Sequence, residues 1–190
     1  MQKIFSWGAG KILEVEIPRW REWVPELINE FLEHQGAAEK SHKIKGRWEN
    51  IYLAINHVPT ARIPIRFARD IAQEILNISS IILFEPLPDS STPYPPFWFN
   101  HAKTGESTGL HDHAHQSKIS GVVYLSCSSN AGNLYFHKDG EVDLEIMPSV
   151  GKLVLFEPWM RHGVRENLSL ENRLSLAFNL FPFPLPVTNL

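Results

Sequence analysis

A single cysteine, Cys127, among 190 residues means that no disulfide can close within the chain. It lies in an apolar, strand-like run where a buried thiol is the ordinary outcome. A reducing cytoplasm is the compartment this usage fits. No apolar stretch approaches the roughly 20 residues needed to cross a bilayer, and Met1 to Gly10 lacks the apolar core of a secretion signal. No block of Lys and Arg stands out, and the formal net charge is −3. Neither nucleic acid nor an anionic membrane is therefore indicated as a partner. Internal repeats and low-complexity tracts are also missing. At this length the chain is read as one domain, residues 1–190, with 43% hydrophobic residues to build its core.

What is present divides by texture. Pro18 to Gln35 has Trp20, Trp23, Leu27 and Phe31 close to the helical period, with Glu and Arg between them, which predicts an amphipathic helix. Its aromatic stripe is expected to pack on the outside of a sheet. A second helix is predicted over Ile65–Leu76, with Phe67, Ile71 and Ile75 as its apolar stripe. Residues 1–85 are accordingly read as a helical support region. Pro86, Pro88, Pro93, Pro95 and Pro96 then interrupt any regular element. Beyond them come short β-branched and aromatic runs: Ile119–Leu125, Asn133–Phe136, Val142–Ile146, Lys152–Phe156 and Leu174–Phe181. Asp139-Gly140 marks a tight hairpin. Regularly spaced short strands predict a mainly β (α+β) protein whose core, residues 97–182, is a sandwich, barrel or jelly roll with the helices outside it.

His111, His113 and His115 recur with period two, so on a strand their imidazoles share one face. Two such imidazoles can chelate one ion. A third ligand from a strand remote in sequence would complete a facial set and leave the opposite positions open. His162 is the candidate, because it follows the buried-strand pattern 151–156 and a turn at 157–159, where a side chain re-enters the sheet. An exposed histidine tract that takes up metal adventitiously is the competing reading. Eleven residues after His162 stands Arg173, with Ser175 on the same strand face; together they offer a guanidinium fork and a hydroxyl for a buried carboxylate. A strand-end arginine paired with a nearby Glu is the better explanation of Arg173 taken alone; its place eleven residues after His162, behind His-x-His, shifts the balance.

In combination, Trp98-Phe-Asn100, Gly105, His111-Asp-His113, Ser120-Gly-Val-Val-Tyr124, Leu155-Phe156 with Trp159, His162-Gly-Val164 and Arg173-Leu-Ser-Leu-Ala-Phe-Asn179 resemble the 2-oxoglutarate and Fe(II)-dependent oxygenases of bacteria and phages. The resemblance covers Trp98 to Pro182. It implies a double-stranded β-helix, Fe(II) and 2-oxoglutarate as cofactors, and O2 with a small-molecule or peptidyl substrate as partners; a homodimer is compatible with it. It also implies Fe(II) held by His111, His113 and His162, or by the pair His113 and His115 in the other register, with Arg173 and Ser175 on the distal carboxylate of 2-oxoglutarate. Trp98, Asn100 and Tyr124 are the expected wall and cofactor contacts. The reaction implied is hydroxylation with release of succinate and CO2. The wider superfamily uses His-x-Asp where this chain has His113, so the expected ligand set is three neutral imidazoles. Two alternatives follow from that departure: a cupin-type three-histidine dioxygenase without 2-oxoglutarate, and a non-catalytic metal-binding jelly roll.

Overall fold

Strand residues alternate between two environments, and that alternation organises the whole molecule. The computed structural model describes residues 2–44, 47–87, 93–113 and 117–185. Among the described residues, twelve strands and two α-helices follow in chain order. The first strands, β1 (Gln2–Trp7) and β2 (Gly10–Glu16), precede helix α1 (Trp20–His34). Next come β3 (Glu39–Ile44) and β4 (Arg47–Tyr52), then helix α2 (Arg62–Leu76). The remaining strands are β5 (Phe97–Ala102), β6 (Thr108–His111), β7 (Ile119–Ser126), β8 (Leu134–Phe136), β9 (Leu144–Ile146), β10 (Lys152–Phe156), β11 (His162–Val164) and β12 (Arg173–Leu180).

Eight strands form one antiparallel sheet in the order β1-β2-β10-β7-β12-β5-β4-β3, and four form a second in the order β6-β11-β8-β9. From β5 onward the chain crosses between the two: β5, β7, β10 and β12 belong to the large sheet, and β6, β8, β9 and β11 to the small one. The chain is mainly β, and its core is a double-stranded β-helix. Side chains alternate in direction along a strand. On the outer face of the large sheet Leu13, Val15, Phe97, Phe99, Val123, Leu153, Leu155, Leu174, Leu176 and Phe178 meet both helices. On the inner face Ile12, Tyr124, Val154 and Phe156 meet Leu134, Phe136 and Ile146 of the small sheet.

The predicted α1 stripe packs as expected: Trp23, Leu27 and Phe31 are buried, and the Phe31 and Phe99 rings lie 4.7 Å apart. The stripe of α2 is centred elsewhere. Ile65, Ala68, Ala72 and Leu76 are its buried positions, while Phe67, Ile71 and Ile75 flank them half-covered. Small alanines let the helix approach the sheet closely, and the larger residues wrap its margin.

The support region is not purely helical. It supplies β1 to β4, which extend the large sheet on both sides, β2 pairing with β10 and β4 with β5. The alternation in Gly10–Glu16 is a strand signal of its own, with Ile12 turned inward and Leu13 and Val15 outward. The predicted strand at Val142 starts only at Leu144, Val142 being 90% exposed at the hairpin after Gly140, whose φ is 81°. Pro88 and His115 lie outside the described residues. Among the described residues no helix is long and apolar enough to cross a membrane.

Phe31 is fully buried between α1 and the sheet. Phe31→Ala should lower the unfolding free energy by about 3–5 kcal/mol, the usual range for emptying such a site. A urea titration of wild type and variant measures it, and a midpoint shift without a change of slope is expected.

Candidate active site

Three imidazoles converge between the two sheets. His111 is the last residue of β6, His162 opens β11, and the two strands pair with His111 opposite His162. β6 ends at His111, so His113 lies one turn of chain beyond the strand and not on it, as the period-two reading had expected. Its backbone N–H donates to the Pro158 carbonyl at 2.7 Å, which ties it to the turn before His162. The outcome is the same convergence by a different route. One ring nitrogen from each of His111, His113 and His162 lies within 4.8 Å of the others, and these three form the potential metal-binding group found among the described residues. Ring centroids are 4.9 Å apart for His111 and His113, 4.4 Å for His111 and His162, and 5.2 Å for His113 and His162.

Two of these rings have their tautomer fixed by backbone. His111 Nδ1 lies 2.8 Å from the Gly109 carbonyl and His162 Nδ1 2.8 Å from the Met160 carbonyl. A carbonyl can only accept, so each Nδ1 carries the proton and leaves Nε2 with a free lone pair for a metal. Such an outer partner is the common accompaniment of a ligating histidine. Burial holds His162 well below the usual imidazole range, with His111 and His113 adding to the effect. Burial also lowers His113, to about 4, again with a contribution from His111. Both rings are therefore neutral at pH 7, the state a metal needs.

A cavity of about 540 Å³, open to solvent, extends from this cluster; Trp98, Val122, Phe156, Arg173 and Ser175 help to line it. Arg173 is 1% exposed. Its Nη1 donates to the Ala131 carbonyl and, at 3.4 Å, to that of Arg165, whereas Nη2 is buried without a hydrogen-bond partner. Gly132 makes room for this group: a Cβ there would lie 2.0 Å from the Arg165 carbonyl oxygen and 2.8 Å from Arg173 Nη1. Desolvation lowers the guanidinium pKa from its ordinary value, but the group stays cationic. The Tyr124 hydroxyl is likewise buried without a partner, and after burial itself Arg173 is the largest influence on its titration. A buried cation with an unmet N–H and a phenol with an unmet O–H are donors awaiting an anion.

Ser175 is buried on the same strand face as Arg173 and lines the cavity. Asn100 lines it too, but with the carboxamide oriented to satisfy both ends it donates to the Glu49 carbonyl at 3.0 Å and accepts from Trp98 Nε1 at 3.1 Å. Its polar atoms are thus engaged within the protein, where it braces Trp98. Trp98 in turn lies 5.5 Å from the His113 ring. Asn50 on β4 is a wall residue that sequence reading passed over. The alternation Trp48-x-Asn50-x-Tyr52 was the available signal, with Tyr52 stacked on Tyr94 at 4.3 Å and 6.3 Å from Trp98.

In the metal-free protein the depressed imidazoles have a direct consequence. An unfolded histidine takes up its proton near pH 6.5, above where His113 and His162 do so when folded. The contribution of His113 to stability is complete above about pH 6.5 and is lost as pH falls toward 4, and that of His162 is lost in the same direction. At 1.36 kcal/mol per pH unit, His113 should cost about 1–2 kcal/mol between pH 7 and 5. Urea unfolding of metal-free wild type and His113→Gln at the two pH values checks this, and the variant should show the flatter dependence.

Residues 140–179 match the model of the family described as "Putative 2OG-Fe(II) oxygenase". No curated protein sequence matches the chain. Among solved structures, a Pseudomonas putida prolyl-4-hydroxylase is 15% identical, with 90% of this chain and 91% of that one covered and a TM-score of 0.61. A prolyl hydroxylase from Trichoplax adhaerens, solved with a hypoxia inducible factor peptide fragment, is 10% identical over 90% of this chain and 83% of its own, with a TM-score of 0.66. HygX from Streptomyces hygroscopicus, solved with nickel and 2-oxoglutarate bound, is 13% identical over 91% and 83%, with a TM-score of 0.61. The matched segment runs from the hairpin glycine through β10, His162 and Arg173, and the solved structures share the double-stranded β-helix fold with this chain.

Proposed function

We propose that His111, His113 and His162 hold the Fe(II), that Arg173, Tyr124 and Ser175 receive the distal carboxylate of 2-oxoglutarate, and that the enzyme hydroxylates a small-molecule or peptidyl substrate. The observation that carries this reading is the pair of orphaned donors. Arg173 Nη2 and Tyr124 OH are buried with no protein acceptor, in a chain that also brings three imidazoles together at the cavity. Leaving such donors unmet is costly, and a carboxylate satisfies both at once.

Once bound, Fe(II) and 2-oxoglutarate would together supply the oxidising chemistry, in which O2 and 2-oxoglutarate would give succinate, CO2 and one oxygen atom inserted into a substrate C–H bond. The residues of the chain orient and exclude. His111 and His162 present Nε2 because their other nitrogens are committed to backbone. Arg173 and Ser175, two residues apart on β12, fix one end of the co-substrate. Val122 and Phe156 give the chamber apolar walls. On the open side Trp98, braced by Asn100, and Asn50 form the surface over which substrate approaches. Three imidazoles leave the metal one positive charge richer than a set containing a carboxylate, which favours anionic co-ligands such as a keto acid.

Two experiments test the assignment. His162→Ala should abolish high-affinity Fe(II) binding while circular dichroism and the urea midpoint at pH 7 keep the fold intact; full iron occupancy in the variant would refute the ligand set. Arg173→Leu should leave iron binding nearly unchanged but weaken 2-oxoglutarate by roughly 30-fold to several thousand-fold, the equivalent of about 2–5 kcal/mol for a buried charged pair. Lys at 173 should rescue in part, since it keeps the charge and lacks the planar fork. Anaerobic titration of 2-oxoglutarate into the iron-loaded proteins reads both, and superimposable curves would point to a three-histidine dioxygenase that does not use the keto acid.

A further inference from the structure

His111 sits on an exposed margin: β6 is four residues long, lies at the edge of the small sheet and has a strand neighbour on one side only. Its pairing with β11 is also broken. His162 faces His111 and Val164 faces Thr108, so two steps on β11 are matched by three on β6, and the extra residue falls at Gly109–Leu110. A bulge of this kind leaves backbone groups without ladder partners and re-aims the neighbouring side chain. The residue at the break is a glycine, which has no side chain to restrict it and the widest torsional freedom of any residue. Yet Gly109 carries the carbonyl that takes the His111 ring proton.

One group from the other sheet meets this break. The Gly109 N–H donates to Glu49 Oε1 at 3.2 Å, and Glu49, on β4, is 7% exposed. The backbone of Glu49 is itself held, since its carbonyl accepts from the Asn100 carboxamide at 3.0 Å. A buried carboxylate thus stands where a neighbouring strand would otherwise pair with β6. It fixes Gly109, and through the Gly109 carbonyl it fixes the His111 ring. Nothing comparable serves His162, whose Nδ1 partner, Met160, lies in the tight turn 157–160 closed by the Met160 N–H to Glu157 carbonyl bond at 3.1 Å.

We propose that Glu49 is a positioning residue for the metal centre, acting through Gly109 on the orientation and tautomer of His111. The inference rests on His111 being a ligand. Its content is geometric: a hydrogen-bond acceptor is needed at the end of a side chain of this length. Glu49→Ala should therefore weaken metal binding by about 10–100-fold, the usual range for losing an outer partner of a ligating histidine. Glu49→Gln keeps an acceptor oxygen at the same reach and should return affinity to within about three-fold of wild type. Glu49→Asp keeps the charge but falls one methylene short, and should resemble Ala.

The test is anaerobic titration of Fe(II), with Co(II) and its visible absorption as a second readout, into wild type, the three Glu49 variants, His111→Ala and the double variant His111→Ala/Glu49→Ala. The urea midpoint of each metal-free protein establishes that it is folded; should Glu49→Ala fail to fold, the Gln and Asp variants carry the comparison. The expected pattern is Gln near wild type, Asp and Ala weak, and no more than about two-fold further loss on adding Glu49→Ala to His111→Ala, since coupled residues are not additive. Wild-type affinity in Glu49→Ala with weak binding in His111→Ala overturns this inference and leaves the ligand assignment standing. Wild-type affinity in His111→Ala overturns both. Equal loss in Gln and Ala, or a full further loss in the double variant, shows that Glu49 does not act through its reach to Gly109 and overturns the proposal.

Discussion

Strand alternation on β12 is the constraint on which the rest of the structure depends. Leu174, Leu176, Phe178 and Leu180 face the helical layer, while Arg173 and Ser175 face the chamber between the sheets. A slip of one residue in register would exchange the two sets, putting a guanidinium among leucines and leucines in the cavity. The pairing on both sides forbids it. β12 is sandwiched between β5 and β7 over nearly its whole length, and the packing of Gly121 fixes the match: a Cβ there would lie 2.5 Å from the Phe178 ring. One set of contacts therefore decides both which face is core and which side chains can reach a ligand.

Given that register, the rest of the site follows from crossing connections. Each step between the two sheets delivers one element to the chamber: β5 brings Trp98 and Asn100, β6 brings His111, β11 brings His162 and β12 brings Arg173. None of these neighbours another in sequence. The site is a product of topology, and its precision comes from backbone: peptide carbonyls fix two imidazoles, and carbonyls of the turn and loop at Ala131 and Arg165 hold the arginine.

The sequence was informative where chemistry was dense and periodic. His-x-His with a distant His and an Arg beyond it led to a group that does assemble, and the strands at 152–156 and 173–180 fall within a residue of their expected bounds. It was less informative at the N-terminus. Gln2–Trp7 and Arg47–Tyr52 become strands because the edges of the large sheet are there to receive them, a tertiary effect that local pattern does not carry. His113 reaches the cluster from beyond the end of β6, so the period-two argument named a residue of the cluster for an incomplete reason. Asn50, Glu49 and Gly132 were silent for another cause. Glu49 and Gly132 matter through residues more than 30 positions away, and Asn50 through a cavity whose other walls come from distant strands; nothing in their own neighbourhoods announces this.

The unmet donors at Arg173 and Tyr124 also bear on how long the folded chain survives. A desolvated cation with an unmet N–H costs the folded state free energy. Any anion that binds there and not to the unfolded chain raises global stability with its concentration, by about 2.7 kcal/mol at a hundred times its dissociation constant. Resistance to proteolysis and turnover would then track the supply of that anion. Were that anion a metabolite, the abundance of the protein would follow its pool, through the thermodynamics of a single buried guanidinium.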